Sequence, residues 1–282
     1  MSSKNYFEIQ KSRKLKLSQL PTVTELIYSS DLDYQSKLIE NQTKIEEYQS
    51  LLYASRKKSL LIIFQGMDTS GKDGAIKHVM SGVNPQGCSV TSFKTPTLLE
   101  RDHDFLWRSN LKLPALGQIE IFNRSYFEDV LITKVHPELI GEKTNPDFWL
   151  KRYHDISNFE SYLHRQKFEI IKIFIHISFT EQKKRLLLRF QDPKKQWKIS
   201  SSDIRERTYW KEYQKAYEEC ITETSSKHAP WYIVPGDDKK NARLAISKIL
   251  AKRLKKLNLC YPELSQAESR KLKKLRTLLK GQ

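Results

Sequence analysis

Apolar residues gather in five short runs, at positions 60–65, 88–93, 118–122, 170–177 and 231–234, each short enough to predict a β-strand. Between and before them the apolar positions recur at helical spacing. Leu38, Ile45, Tyr48 and Leu52 predict a helix over 34–57. Further helices are predicted over 72–81, 98–110, 126–135, 146–166, 180–191 and 203–224. Asn145, Pro146 and Asp147 form a helix start: a capping side chain, a residue with preset φ, and a carboxylate at the positive end of the helix. Asp203 followed by Glu206 resembles a capping box opening the next helix. Strands interleaved with helices predict an α/β fold: a five-stranded, mainly parallel sheet flanked by helices. Ligands in such sheets bind beyond the carboxyl ends of the strands, so the segments after each run are where chemistry is sought.

The pattern divides the chain into three parts. Residues 1–30 are polar and basic and read as an arm, residues 31–257 carry the alternating pattern, and residues 258–282 form a basic tail. In the tail, Leu272, Leu275 and Leu279 alternate with Lys271, Lys273, Lys274, Arg276 and Lys280, predicting an amphipathic helix that packs on the body or on another subunit, with polyanion binding as the alternative. No repeat is present. Of the 282 residues 38% are hydrophobic, enough for a sizeable core, and the net charge is +17, which favours polyanionic partners. Cys88, Cys220 and Cys260 lack the spacing of a zinc site or a disulfide frame and read as reduced thiols. No apolar run reaches signal-peptide or membrane-spanning length, so the expectation is a cytoplasmic protein with no membrane partner.

The first apolar run leads directly into GMDTSGKDG at 66–74 and then into a helical pattern, the strand–loop–helix context of a phosphate-binding loop. Gly66 and Gly71 permit the turn, and Gly74 follows in the first helical turn. Amide groups at the helix start converge on an anion, and Lys72 reaches the outer phosphates as a point charge. The hydroxyl that normally closes this motif is replaced by Asp73, and a further carboxylate, Asp68, sits inside the loop. Carboxylates are hard oxygen ligands, so Asp68 is a candidate for holding Mg²⁺, with Mn²⁺ as an alternative. The bland alternative is a glycine turn in which Asp68 bonds its own backbone.

After the run at 118–122 come Asn123, Arg124, Ser125, Glu128 and Asp129. Arg124 can clamp a phosphate bidentately, and Asp129 is a second candidate to bind Mg²⁺, directly or through water, or to orient the attacking phosphate; the bland alternative is an exposed helix start whose acids favour the dipole. Further on, nine basic positions stand against three acids between 183 and 207. Arg185 and Arg189 lie one helical turn apart, and Pro193 ends their helix in a loop bearing Lys194, Lys195 and Lys198. Two helices joined by a basic loop, at about 183–210, read as a lid over phosphates. Trp197 is expected to pack within it.

These motifs resemble the second family of polyphosphate kinases. The resemblance covers about 31–257 and rests on QGMDTSGKDG (65–74), HVMSGVNPQG (78–87), SFKTPT (92–97), HDFLWR (103–108), FNRSYFEDVLITKVHP (122–137), QDPKKQWK (191–198) and APWYIVPGDDK (229–239). It implies a P-loop kinase sheet with a helical lid, similar to thymidylate kinase. It also implies that Asp68 and Asp129 serve Mg²⁺, that Lys72 and Arg124 contact the transferring phosphate, and that Arg185, Arg189 and the lid lysines line the polyphosphate path. Glu128 beside Asp129 resembles the subgroup acting on both nucleoside mono- and diphosphates. The implied partners are inorganic polyphosphate and adenine or guanine nucleotides, with a homodimer or homotetramer as the assembly. Tyr126, and Lys240 with Asn241, depart from residues common in the family and bear on packing.

The expected reaction is transfer of a terminal phosphoryl group from polyphosphate to AMP and ADP, reversibly, by alignment and charge neutralisation without a covalent relay. An ATP-dependent nucleotide or nucleoside kinase would share the loop, arginines and lid. A nucleic-acid-binding protein with a nucleotide switch would suit the charge, but the chain has no helix-turn-helix, zinc-knuckle or aromatic RNA-binding signature.

Overall fold

The computed structural model describes residues 6–9, 15–141 and 144–281. In chain order its elements are β1 (Phe7–Ile9), α1 (Asp31–Ser55), β2 (Ser59–Gln65), α2 (Lys72–Val79), β3 (Cys88–Ser92), α3 (Leu98–Arg101), α4 (Trp107–Asn110), β4 (Ile119–Asn123), α5 (Glu128–Val135), α6 (Pro146–Arg165), β5 (Phe168–His176), α7 (Phe179–Gln191), α8 (Ser201–Glu206), α9 (Trp210–Thr224), β6 (Trp231–Pro235), α10 (Lys239–Lys255) and α11 (Gln266–Lys280).

The sheet has the order β1-β6-β5-β2-β4-β3, with every neighbouring pair parallel except β1 on β6. All five expected strands are present. The sixth, antiparallel one comes from the segment read as an arm. Phe7, Glu8 and Ile9 pair with Ile233, Tyr232 and Trp231, and Leu17 is fully buried in the core beneath. The segment is also sewn to the start of α10: Asn241 Nδ2 donates to Thr24 Oγ1 and Glu25 O, and Asn241 Oδ1 accepts from Ile27 N.

β2 is buried at all seven positions because helices cover both faces, which is why its sequence shows a continuous apolar run instead of alternation. Odd positions such as Leu61 and Ile63 face a core shared with α5, α6 and α9, whereas Leu60, Ile62 and Phe64 face α1, α2 and α10.

Local chemistry sets the helix starts. Asn145 Oδ1 accepts from Phe148 N with Pro146 in the first turn, as expected. The box at α8 is formed by Ser200 and Asp203, three residues earlier than the Asp203–Glu206 reading, because the chain emerging from the Lys-rich loop turns at Ser200. The helix expected over 98–110 is two short ones, and the helix expected over 203–224 is interrupted by a 3-10 turn at Arg207–Tyr209. α10 was not anticipated, although ten of its residues are buried. α11 forms as the tail pattern predicts, yet none of its residues is buried against the body. Among the described residues no helix is long and apolar enough to cross a membrane. Cys88, Cys220 and Cys260 are free.

Candidate active site

The register places two loops side by side. Phe64 pairs with Asn123, so β2 and β4 end together, and Arg124 N donates to Phe64 O at 3.0 Å. Just beyond, Gln65 Nε2 reaches Ser125 Oγ at 3.3 Å and Gln65 Oε1 accepts from Tyr217. The glycine loop leaves β2 through Gly66, where φ is +151° and a Cβ would stand 2.8 Å from Ile175 O and from Ser70 Oγ. Thr69 takes φ 63° without a glycine's freedom, and Gly71 takes φ 104° to open α2.

The loop's carbonyls are all consumed from residue 66 to 71. Lys72 Nζ donates to Gly66 O (2.7 Å) and Met67 O (3.3 Å). Gln182 Nε2 donates to Asp68 O, and Arg185 Nη1 donates to Thr69 O (3.1 Å) and Ser70 O (2.7 Å). Gly71 O accepts the first α2 bond from Ala75. With its acceptors engaged, the loop has donors left to offer, which is the polarity an anion requires. Among the described residues Thr69 Oγ1, Ser70 Oγ and Asp129 Oδ2 are buried without a hydrogen-bond partner.

Arg124 stands across from the loop, in the left-handed region at φ 64°. Its Nη2 donates to Asp68 Oδ1 at 2.6 Å and its Nη1 to Glu128 Oε2 at 3.3 Å. Glu128 and then Asp68 hold the guanidinium firmly charged. Lys72 is the opposite case: burial, aided by the Arg124 charge, lowers it to about 8 against the pull of Asp68, Glu128 and Asp73. Asp73 accepts from Asn123 Nδ2 at 2.8 Å and faces Lys198 at 3.7 Å. Partial burial pushes its carboxyl up, but these two partners hold it below the usual range. Gly74 lies in the first turn of α2, its carbonyl 2.7 Å from His78 Nδ1.

Asp129 has two further arginines as neighbours. Its carboxylate lies 3.9 Å from Arg108 Nη2, and its carbonyl accepts from Arg152 Nη1 at 2.8 Å. Burial raises Asp129 to about 6 despite both arginines. The structure therefore brings Asp68, Lys72, Arg124 and Glu128 into one cluster and holds Asp129 beside Arg108 and Arg152. Among the described residues no group of three or more His, Cys, Asp or Glu side chains is arranged to hold a metal ion.

Arg185 is buried within the fold. Besides the loop carbonyls it binds Gly236 O (2.5 Å) and Asp237 O (3.1 Å), with Glu181 on its Nε at 2.8 Å. Its five donors are thus directed at the protein, and the first lid helix, α7, is clamped to the back of the loop. Arg189 reaches Lys198 O and Asp203, both at 3.4 Å, inside the lid. Lys195 pairs with Asp192 at 2.6 Å, the Lys194 amide donates to the same carboxylate, and Lys198 faces Asp73. Trp197, expected to pack, is 77% exposed and lies against Lys198 with its Nε1 donating to Lys194 O. The loop is too short to fold back over the ring.

Three residues at the site were not singled out from sequence. Gln182 is buried and bridges Asp68 O to Arg207. Arg108 is buried against Lys94 O (2.8 Å) and the Phe93 ring. Arg152 lies over Phe105 and Phe148. Arg108 closes the HDFLWR motif, a signal that was available; nothing local marks the other two.

Residues 28–260 match the family model described as polyphosphate kinase 2. The chain is 45% identical over 280 residues to an ADP-polyphosphate phosphotransferase of Rhodopseudomonas palustris, covering 97% of each. It is 41% identical to an AMP/ADP-polyphosphate phosphotransferase of Meiothermus ruber, over 78% of this chain and 80% of that one. The crystal structure of polyphosphate kinase 2 from Arthrobacter aurescens superposes with a TM-score of 0.85 at 37% identity, covering 93% and 94% of the two chains.

Proposed function

The chain belongs to the polyphosphate kinase 2 family, and we propose that it moves the terminal phosphoryl group of inorganic polyphosphate onto both AMP and ADP, forming ADP and ATP. Transfer from polyphosphate to a nucleotide is the activity of the family; acceptance of both nucleotides is the finer reading, supported by Glu128 beside Asp129 and by the likeness to the Meiothermus ruber protein. The observation that carries the site assignment is the glycine loop, with its carbonyls tied back by Lys72, Gln182 and Arg185.

In this reading the loop amides and Lys72 seat the phosphoryl group in flight. Arg124, positioned by Glu128 and Asp68, neutralises its equatorial oxygens. The acceptor phosphate oxygen is already a nucleophile, so no side chain needs to remove a proton. Lys194, Lys195 and Lys198, with Arg189, present positive charge along the lid to the rest of the chain. Arg185 acts from behind by holding the loop in shape.

Mg²⁺, or Mn²⁺ in its place, suits these residues. Mg²⁺ takes one or two carboxylates together with phosphate oxygens and water, and Asp129 Oδ2, buried without a hydrogen bond and 3.9 Å from Arg108 Nη2, is such a donor. Asp129 and Asp68 are the residues that would hold it. When bound, it would screen the charge on the bridging phosphates.

Product analysis tests the reading. With polyphosphate as sole donor, AMP should give ADP and then ATP, and ADP should give ATP; GMP and GDP define the base preference. Phosphorylation only when ATP replaces polyphosphate would overturn it.

A further inference from the structure

α11 stands uncovered. No residue in it is buried, and Leu272, Leu275, Leu278 and Leu279 are 45–71% exposed. At helical spacing the four leucines share one side, while Arg270, Lys273, Lys274, Arg276 and Lys280 occupy the other. The chain leaves the body after Leu257 and Leu259, the last residues to pack on the core. A 15-residue helix is marginal in water by itself, so an apolar face of this size calls for a partner.

The molecule carries a surface of matching form. α1 buries Tyr34, Leu38, Ile45 and Leu52. On its outer side Leu32, Ile39 and Tyr53 are 80%, 60% and 42% exposed. They fall in one seven-residue series, with exposed Glu46 completing it, and such spacing lines side chains along one edge of a helix. The charges are complementary. α1 carries five acids and two lysines, whereas α11 carries six bases and one acid.

We propose that α11 of one copy docks along the outer face of α1 of a second copy, with the leucines on Leu32 and Ile39 and the cations beside Glu40 and Glu47. At about 1.5 Å per residue, α1 spans ~37 Å and can seat the ~22 Å of α11. Pairing of α11 with another α11 is opposed by like charge, and a polyanion would leave the leucines in water. A second copy answers both surfaces, and mutual exchange of α11 closes a two-fold dimer.

The test is the mass of the full chain by light scattering after size exclusion, at low and moderate salt. The wild type should run at no less than twice the single-chain mass. Leu272→Ser/Leu275→Ser/Leu279→Ser should halve that mass while phosphoryl transfer persists. Two charge reversals separate docking from general damage: Glu40→Lys/Glu47→Lys on α1, and Lys273→Glu/Lys274→Glu on α11. Each alone should halve the mass. Mixed in equal amounts they should restore it, because every α1–α11 contact in the mixed dimer is again complementary. A wild type of single-chain mass, an unchanged mass in the leucine variant, or failure of the mixture would overturn the proposal. So would single-chain wild type that sediments with phosphatidylglycerol vesicles, which would assign α11 to a bilayer surface.

Discussion

Arg124 Nη2 donates a 2.6 Å hydrogen bond to Asp68 Oδ1, so the residue just after β4 grips the loop that follows β2. The grip depends on the left-handed backbone at Arg124, which turns the side chain back across the strand ends. Arg124→Lys would keep one charge but lose the fork that spans Asp68 and Glu128. The expected result is a fall in kcat of about 100-fold or more with little change in nucleotide affinity. Steady-state kinetics beside calorimetric nucleotide titration would separate the two.

Asp68→Asn and Asp129→Asn should each lower kcat by about 100-fold or more while circular dichroism stays native. Chelation of divalent ions should silence the wild type reversibly. Mn²⁺ binding followed by electron paramagnetic resonance should weaken in both variants; a variant with near wild-type turnover and Mn²⁺ affinity does not belong to the metal site.

Lys72 gives the site an alkaline limit. In the free protein it titrates near 8, lowered by burial, so kcat/KM for polyphosphate should fall as pH rises past that value. Bound phosphate favours the charged form, so kcat should hold to higher pH than kcat/KM. The stability effect has the opposite sense. A buried lysine with a lowered pKa costs stability while charged, and the cost is relieved as pH rises from about 8 towards the unfolded value of 10.5. Lys72→Met should remove both effects, read from pH–rate profiles and urea melts.

Arg185→Ala should lower stability by about 3 kcal/mol, because four backbone carbonyls lose their donor at a buried position. Activity should fall with it, as the loop relaxes. Chemical denaturation is the check. A raised KM for polyphosphate with unchanged stability would instead place Arg185 on the substrate.

The lid lysines are exposed and weakly paired. Replacing Lys194, Lys195 and Lys198 by alanine should raise KM for polyphosphate by about 10-fold or more and flatten its dependence on salt, with KM for ADP nearly constant. Equal changes in both constants would count against the lid's role.

The strands were legible because burial on both faces of a parallel sheet leaves continuous apolar runs, as in β2 and β5. β1 was not, since three residues reading Phe-Glu-Ile carry no periodic signal and owe their structure to the edge of β6. α10 escaped for a different reason: Ala242, Ala245, Ala251, Asn241 and Ser247 are buried among its larger residues, which blurs the stripe a half-exposed helix shows. At the site, Gly66, Lys72 and the Asn123–Asp129 cluster could be read because motif spacing carries them. That Arg185 faces loop carbonyls could not. An arginine's donors look the same in sequence whether they meet a phosphate or a peptide, and only the approach of α7 to the loop decides.

The antiparallel pairing of Phe7–Ile9 has a practical consequence for handling this protein. Three residues close one border of an otherwise open sheet, and trimming them would leave the backbone of β6 as a template for strands of other molecules. Shortening the chain at its beginning therefore carries an aggregation risk, although those residues lie outside the catalytic machinery.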